Sequence, residues 1–447
     1  MENIKINFSK PVGPMKPMHA VNNGPLAKSV RATDNFDLYA AAGFPYARNH
    51  DASFYSGYGG EHTVDVHRIF KNFERDENDP ASYMFASTDK YVKNTIDAGT
   101  KVFYRLGASI EHGQKWGTFP PKDFAKWARI CEHIIRHYTE GWADGFNYDI
   151  EYWEIWNEPE CVNADGSNPC WQGTPEQFIE FYTIVASHLK SCFPHLKIGG
   201  PAFTSPWRNK FKRDFLKNVK ENNVPLDFYS YHCYAAAPIG IYEAVIEGEK
   251  ALAEYDLQST ETILNEWNYV KGWRGDDWKA TLEGEQGLLG SAFTASAMSL
   301  CQYSSLGMLM YYEARPCSMS GIFDTDMPWK PRKSYYSFKM FSELYKLGTA
   351  VELSSDSKTV FGCAATNDEK CAVMFSHFSA DENAAPETVK VDMSGFSCEN
   401  GVKAQYYLID EEHNLGLVKE EVLTGDSFAA TVELPLYSSC LIMLEKN

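Results

Sequence analysis

Short apolar runs alternate with longer amphipathic segments along most of the chain. The runs are rich in β-branched and aromatic residues, as buried strands are, and examples are 100–106, 196–202, 226–234 and 261–269. Between two of them, 121–138 carries Phe124, Trp127, Ile130 and Ile134 at helical spacing. Strands that alternate with helices predict a parallel sheet covered by helices.

The alternation supplies enough strands for a closed barrel. Further strands are predicted at 19–23, 44–50 and 306–312 and at the run that begins at Ile150, and the helix 333–347 ends the pattern. Thr174, Pro175 and Gln177 predict the start of another helix, because they fit a capping box with proline at the first position. We therefore predict an α/β fold, a (β/α)8 TIM barrel over 1–348, preceded by an arm or edge strand within 1–18.

The pattern changes after residue 348. Short alternating segments at 370–375, 388–391, 404–408 and 439–444 are separated by Gly, Asp, Asn and Ser. This spacing predicts a C-terminal antiparallel β-sandwich over 349–447, packed against the barrel as an accessory domain.

Composition narrows the functional classes. The 447 residues suit a barrel with a small appendage, and 44% hydrophobic with 14% aromatic residues excludes a disordered chain. A net charge of -18 argues against nucleic acid or an anionic membrane as partner. A homo-oligomer stays open.

The spacing of the cysteines and the lengths of the apolar runs bear on the cellular compartment and on metal binding. No run is long enough to span a membrane, and the first residues lack the apolar region of a secretory signal, so we predict a cytoplasmic protein. The 11 cysteines are irregularly spaced, which indicates neither a disulfide framework nor a metal site. Cys161 and Cys170 could pair in an oxidising compartment, but we predict reduced thiols. No cofactor is expected.

Two of the predicted strands carry a glutamate near their ends. Residues 150–159 read Ile-Glu-Tyr-Trp-Glu-Ile-Trp-Asn-Glu-Pro, and 261–269 read Glu-Thr-Ile-Leu-Asn-Glu-Trp-Asn-Tyr. Pro159 should stop the first strand and hold Glu158 in an extended conformation. The second strand should end in Glu266. Strand ends of a parallel barrel meet at one rim, so the two glutamates form a candidate pair.

These strands carry a family resemblance. Asn157-Glu158-Pro159, the later strand with Glu266, and Arg48-Asn49-His50 near the end of the predicted strand 44–50 resemble the retaining glycoside hydrolases of clan A, and within it family 39, the β-xylosidases and α-L-iduronidases. The resemblance implies Glu158 as acid/base and Glu266 as nucleophile. Asn265-Glu266-Trp267 departs from the Thr-Glu-Phe/Tyr pattern expected at the nucleophile.

The implied chemistry needs carboxyl groups about 5 to 5.5 Å apart. Charges at that distance repel by about 3 kcal/mol, which helps to keep the acid protonated. Arg48 is expected to stabilise the ionised nucleophile, with pairing to Glu154 an equal alternative, and Tyr234 is a possible phenolic donor. Asn157 would donate to a sugar hydroxyl.

The remaining candidates lie near other strand ends. His50, His112 and His232 could orient a sugar, with a packing role as the alternative for each. Tyr311, Tyr312, Glu313 and Trp329 could form a stacking wall, with rim packing as the alternative. The long insertion 51–79 follows the second strand and is expected to lie over the site.

The functional hypothesis is a retaining exo-glycosidase that acts on short neutral oligosaccharides by double displacement. A β-xyloside is the first expected substrate, by resemblance, with β-glucoside, α-L-arabinoside and α-L-iduronide as alternatives. A catalytically idle, sugar-binding barrel is the competing class.

Overall fold

The computed structural model describes residues 2–26, 34–50, 62–108, 117–317, 319, 321–326, 329–397 and 399–447. In these ranges a first strand, β1 (Glu2–Pro14), precedes a closed barrel. The barrel strands, in spatial and chain order, are β2 (Ala20–Asn22), β3 (Tyr46–Asn49), β4 (Lys101–Leu106), β5 (Tyr152–Ile155), β6 (Lys197–Phe203), β7 (Phe228–Ala235), β8 (Glu261–Tyr269) and β9 (Met308–Tyr311). All neighbouring pairs are parallel, from β2 with β3 to β9 with β2. The predicted (β/α)8 barrel is confirmed.

Helices connect and cover these strands. They are α1 (Phe36–Ala42), α2 (Val66–Ile69), α3 (Ala86–Asp97), α4 (Phe124–Thr139), α5 (Pro175–Cys192), α6 (Lys210–Glu221), α7 (Pro238–Ala253), α8 (Gly275–Gln286), α9 (Leu288–Gln302) and α10 (Lys333–Leu347). The predicted capping box opens α5, where the Thr174 side chain accepts from the Gln177 N–H and the Gln177 side chain accepts from the Thr174 N–H. Within the described ranges, no helix combines the length and apolarity that a membrane crossing requires.

A second sheet follows the barrel and confirms the predicted C-terminal β-sandwich architecture. Its later strands are β10 (Thr349–Ser355), β11 (Val360–Thr366), β12 (Lys370–His377), β13 (Glu387–Ser394), β14 (Val402–Ile409), β15 (Asn414–Leu423), β16 (Ser427–Leu434) and β17 (Ser439–Lys446). The order across the sheet is β15-β14-β17-β12-β11-β10-β1-β13-β16. It packs on α9 and α10, where Ser376 Oγ donates to the Ala292 carbonyl and Lys333 Nζ donates to the His413 carbonyl.

The first strand belongs to this second sheet. It lies between β10 and β13, antiparallel to the former and parallel to the latter, and is not an edge strand. The cause is its alternating pattern, since Ile4, Ile6 and Phe8 are all buried in the core of the sheet. The division into two domains, 1–348 and 349–447, remains a proposal. The strand β1 belongs to the first range in sequence but pairs with strands of the second range.

Candidate active site

The backbone turns sharply where Glu158 follows β5. The strand ends at Ile155, and Trp156 and Glu158 have positive φ angles of 76° and 47°. The expected extended conformation of Glu158 was therefore wrong. The Trp156 N–H donates to the Leu106 carbonyl and the Glu158 N–H to the Ala202 carbonyl, so bonds to two neighbouring segments fix the turn. Proline disfavours the right-handed helical region for its predecessor and favours extended backbone, so these hydrogen bonds are what hold Glu158 in the left-handed region, a conformation found at functional sites.

The second glutamate lies at a β-bulge inside β8, which continues to Tyr269 instead of ending at Glu266 as expected. Opposite β7, Leu264 pairs with Tyr231 and Glu266 pairs with His232, so Asn265 is an extra residue on β8. A bulge lets two successive side chains point the same way. Both Asn265 and Glu266 accordingly reach polar partners inside the barrel mouth.

The two glutamates meet across one imidazole. Nδ1 of His232 lies 2.8 Å from Oε1 of Glu158 and 3.4 Å from Oε2 of Glu266. One carboxylate oxygen of each glutamate and one ring nitrogen of His232 all lie within 4.8 Å of one another. This close approach suits a retaining pair, whose carboxyl groups are about 5 to 5.5 Å apart, and leaves no room for the wider spacing of an inverting pair.

Burial keeps the bridging imidazole neutral. His232 is fully buried, and this desolvation lowers its pKa to about 4, although Glu266 acts in the opposite direction. At neutral pH it therefore adds no cation between the carboxylates.

Arg48 connects the nucleophile candidate to the barrel interior. Its Nη1 donates to Glu266 Oε1 at 2.8 Å and its Nε donates to Glu154 Oε2 at 2.7 Å, so both predicted pairings occur together. Burial lowers the pKa of Arg48, but the two carboxylates outweigh it and the net direction is upward. The remaining oxygen of Glu154 accepts from Ser230 at 2.7 Å and from Asn265 at 2.5 Å. Glu154 thus fixes the orientation of the guanidinium group that donates to Glu266.

Glu266 receives donors on both oxygens. Arg48 binds Oε1, and the Tyr234 hydroxyl donates to Oε2 at 2.8 Å. Hydrogen bonds from a cation and a phenol stabilise the ionised form of a carboxylate.

The amide of Asn157 is oriented by the same arginine. Its Oδ1 accepts from Arg48 Nη2 at 2.7 Å, so its Nδ2 must carry the hydrogens. This Nδ2 is buried and has no partner within the described part of the chain, although Asn157 lines the cavity. An unused donor at this place suits a sugar hydroxyl.

Arg105 determines the tautomer of His50. Arg105 Nε donates to Nδ1 of His50 at 3.0 Å, and its Nη2 donates to the His50 carbonyl and to Asp65, at 2.7 and 2.6 Å. A guanidinium has no acceptor atom, so Nδ1 must accept and the ring proton must lie on Nε2. That nitrogen lies 3.6 Å from Glu266 Oε1, on a side chain that lines the cavity.

A cavity of about 520 Å³ opens above the two glutamates. Its rim carries Trp207, Trp273 and Tyr312, and the first two indoles are 47% and 56% exposed. Trp273 packs edge-on against Tyr234 and stacks on Trp278. Exposed flat aromatic faces beside a polar pocket are suited to stacking on sugar rings.

A buried ion pair supports the Trp207 side of the rim. Nζ of Lys212 lies 3.0 Å from Glu160 Oε1, and each side chain is 4% exposed. The same ammonium donates to the carbonyls of Ser205 and Trp207. Burial raises the pKa of Glu160 and lowers that of Lys212, with each partner opposing the shift of the other.

The other predicted residues have different surroundings. Glu313 is buried in an ion pair, accepting from Arg315 Nη2 at 2.8 Å and from Asn23 Nδ2 at 2.5 Å. Tyr311 is core, packed on Trp267. Within the described residues, the cavity lining includes neither Glu313 nor Trp329. His112 and much of the insertion, 51–61, lie outside the described residues.

Some site residues were missed by the sequence reasoning. Asn265 stood out only as a departure from the motif expected at the nucleophile, and Ser230 and Arg105 had no distinguishing local pattern. Trp207 and Trp273 did have one, because each is a tryptophan in a polar segment directly after a barrel strand.

Comparisons with known proteins agree with this geometry. Residues 57–269 match the profile of glycosyl hydrolases family 39. A β-xylosidase of Geobacillus stearothermophilus is 29% identical over 242 residues, which cover 51% of this chain and 43% of that relative. The matched segments span less than half the length of the curated β-xylosidases concerned.

Solved structures share the fold along the whole chain. A glucosidase from Croceicoccus marinus has a TM-score of 0.81 at 20% identity, with 100% of this chain and 99% of that one covered. A monomeric β-xylosidase from Caulobacter crescentus has a TM-score of 0.73 at 15% identity, with 100% of both chains covered. The barrel, the paired glutamates and the profile match over 57–269 together support a glycoside hydrolase of family 39, in clan A.

Proposed function

We propose that this protein is a retaining exo-glycosidase that acts on short neutral oligosaccharides, with β-xylosides as the first substrate class. The observation that carries the proposal is the approach of Glu158 and Glu266 to within 4.8 Å across His232. A pair this close leaves room for a sugar carbon between the carboxylates and not for an additional water.

The mechanism has two displacements. The Glu266 carboxylate attacks the anomeric carbon while the Glu158 carboxylic acid protonates the departing oxygen, giving a covalent glycosyl-enzyme and a free alcohol. Glu158, now ionised, then takes a proton from water, whose oxygen attacks the same carbon and releases Glu266. The configuration of the anomeric carbon is inverted twice and therefore retained.

The contacts of the two glutamates support this assignment of roles. Glu266 is held by the Arg48 cation and the Tyr234 phenol, as a carboxylate nucleophile requires. Glu158 contacts the neutral His232, and its side chain is 14% exposed. A partly desolvated carboxyl beside an ionised neighbour is favoured in its protonated form.

The substrate class rests on the relatives and the cavity. Two curated relatives, 29% and 27% identical over 242 and 172 residues, are β-xylosidases, while an α-L-iduronidase is 24% identical over 225 residues and a fold neighbour is a glucosidase. A cavity of about 520 Å³ with two exposed indoles has room for a sugar and part of its leaving group. β-Glucoside, α-L-arabinoside and α-L-iduronide remain the alternatives to test.

A panel of nitrophenyl glycosides tests the activity. We expect the β-xyloside to be the fastest substrate, with the β-anomer of the sugar appearing first by NMR. First appearance of the α-anomer would exclude retention. A fluoro-xyloside that traps the glycosyl-enzyme should add its sugar mass to the peptide carrying Glu266. Reversible binding with no mass change and no turnover would instead indicate the sugar-binding class.

Compartment and assembly are part of the proposal. The odd number of irregularly spaced cysteines supports a reducing, cytoplasmic setting. A homo-oligomer stays open, and light scattering on the purified chain decides it.

A further inference from the structure

Two cysteine thiols lie beside the acid/base candidate. The Sγ atoms of Cys161 and Cys170 and a carboxylate oxygen of Glu158 are all within 4.8 Å of one another. Cys170 is buried, Cys161 is half-buried, and neither forms a disulfide. Eight residues separate the cysteines in the chain, which is longer than the short spacing of common zinc motifs. The fold, and not local spacing, brings these groups together.

Asn168 fixes the loop that carries the thiols. Its Nδ2 donates to the Pro159 carbonyl at 2.6 Å, and its Oδ1 accepts from the Cys170 N–H at 2.9 Å. The Cys161 N–H also donates to the Glu158 carbonyl at 3.0 Å, and Trp156 Nε1 donates to the Cys170 carbonyl at 2.8 Å. Both cysteines are thus anchored by backbone bonds to the segment that carries Glu158, so little chain ordering remains to be done on binding a ligand.

We propose that Cys161, Cys170 and Glu158 form an inhibitory site for a thiophilic divalent cation, with Zn²⁺ as the representative ion. Zn²⁺ binds thiolate sulfur at about 2.3 Å and carboxylate oxygen at about 2.0 to 2.2 Å in a tetrahedron. The three atoms need to approach by only about 1 Å to meet those bond lengths, which a rotation of the half-buried Cys161 side chain can supply. Both thiols release a proton to solvent on binding, and water completes the fourth position.

Metal binding at this place removes the proton donor. A carboxylate bound to Zn²⁺ is held ionised, so Glu158 can no longer protonate a leaving group. Mg²⁺ and Ca²⁺ prefer oxygen ligands and should leave the site empty. Inhibition should therefore follow thiol affinity and not cation charge.

Two other described clusters could hold a metal by distance alone. One is the catalytic group of Glu158, His232 and Glu266, and the other is Glu132, His188 and Cys192. In the latter, Glu132 already pairs with Arg136 at 2.9 Å, and the cluster contains one thiol instead of two, so it is the weaker metal site. Because Cys192 lies in this cluster and outside the active site, its thiol is a matched control.

Co²⁺ and Zn²⁺ titrations test the proposal on the reduced full-length protein. Co²⁺ should give a thiolate-to-metal charge-transfer band in the wild type that weakens strongly in Cys161→Ser and Cys170→Ser and persists in Cys192→Ser. Zn²⁺ should inhibit hydrolysis by the wild type and by Cys192→Ser. Cys161→Ser should keep its basal activity and need at least about tenfold more Zn²⁺, because one ligand is missing.

The Co²⁺ band reports metal binding and does not depend on the proposed function. The inhibition by Zn²⁺ does depend on it, so failure of the metal site and failure of the proposed function can be distinguished. Absence of the Co²⁺ band in a folded wild-type protein overturns the site, whatever the enzyme does. Equal inhibition of the wild type, Cys161→Ser and Cys170→Ser also overturns it, since the metal would then act at His232 and Glu266 or elsewhere.

Discussion

The Nε atom of Arg105 donates to Nδ1 of His50 over 3.0 Å, and this bond places the ring proton of His50 on the side of the nucleophile candidate. Arg105 is a positioning residue, because it acts on the site only through the imidazole. Its second partner is Asp65, at 2.6 Å. The pair is buried, so removing one charge alone would leave the other uncompensated.

In the double variant Arg105→Met/Asp65→Asn, the imidazole of His50 should be free to adopt either tautomer. We expect nitrogen NMR of histidine-labelled protein to show Nδ1 changing from a purely accepting to a partly protonated atom, with kcat/KM lowered. Asp65→Asn alone keeps the arginine donor and should keep the tautomer, at a lower melting temperature because the charge of Arg105 is then uncompensated. An unchanged Nδ1 signal in the double variant would show that another group orients the ring.

Glu158→Gln should separate the two steps of the mechanism. The variant keeps the nucleophile but has no acid, so natural substrates should lose about 10² to 10⁴ in rate. Aryl glycosides with good leaving groups need little protonation, and they should form a glycosyl-enzyme that accumulates. Azide should restore turnover and give a β-glycosyl azide. Rescue of Glu266→Ala with a β-glycosyl azide of retained configuration, together with rescue of the Glu158 variant with an inverted α-glycosyl azide, would exchange the two roles.

Much of the site could be predicted because barrel geometry converts chain position into spatial position. Residues that follow parallel strands share one rim, so Glu158, Glu266 and Tyr234 were expected to converge, and the structure brings them around one cavity. Arg48 was expected to bind either Glu154 or Glu266, and it binds both because a guanidinium has donors on three nitrogens.

Other features depend on interactions that no local pattern contains. The bulge at Asn265 follows from pairing with β7, and the positive φ of Glu158 follows from a bond to the Ala202 carbonyl. The parallel pairing of β1 with β13 joins chain segments hundreds of residues apart, although its alternating Ile4 and Ile6 did show a strand with one buried face.

Trp207 should contribute to binding of the leaving group. It follows β6, next to the segment that carries Glu158, and Lys212 anchors its carbonyl. Loss of one stacking contact costs about 1 kcal/mol, so Trp207→Ala should lower kcat/KM for a disaccharide about fivefold. A β-glycosyl fluoride of the same sugar serves as the control. Its leaving group is a single fluoride, which cannot stack on Trp207, so its kcat/KM should change little. Equal losses for both substrates would place Trp207 beside the cleaved sugar instead.

Glu285, in the last turn of α8, should make the folded state less stable as pH rises. It is fully buried, its Oε2 accepts from Asn268 Nδ2 at 3.2 Å, and its Oε1 has no partner among the described residues. Burial raises the pKa of Glu285 from 4.5 to about 9, with a smaller opposing effect of Arg332. The folded state therefore binds one proton more than the unfolded state between these values.

The stabilisation that this extra proton gives is complete below the unfolded pKa and is lost as pH rises through the folded pKa, with a slope of at most about 1.4 kcal/mol per pH unit. Glu285→Gln keeps the shape of the protonated side chain and removes the titration. The melting temperature of Glu285→Gln minus that of the wild type should therefore increase as pH rises from about 6 to about 9. Glu283→Gln, an exposed position on the same helix, is the matched control and should follow the wild type. Parallel curves for the wild type and Glu285→Gln would mean that Glu285 is ionised in the folded protein and that another group supplies its missing partner.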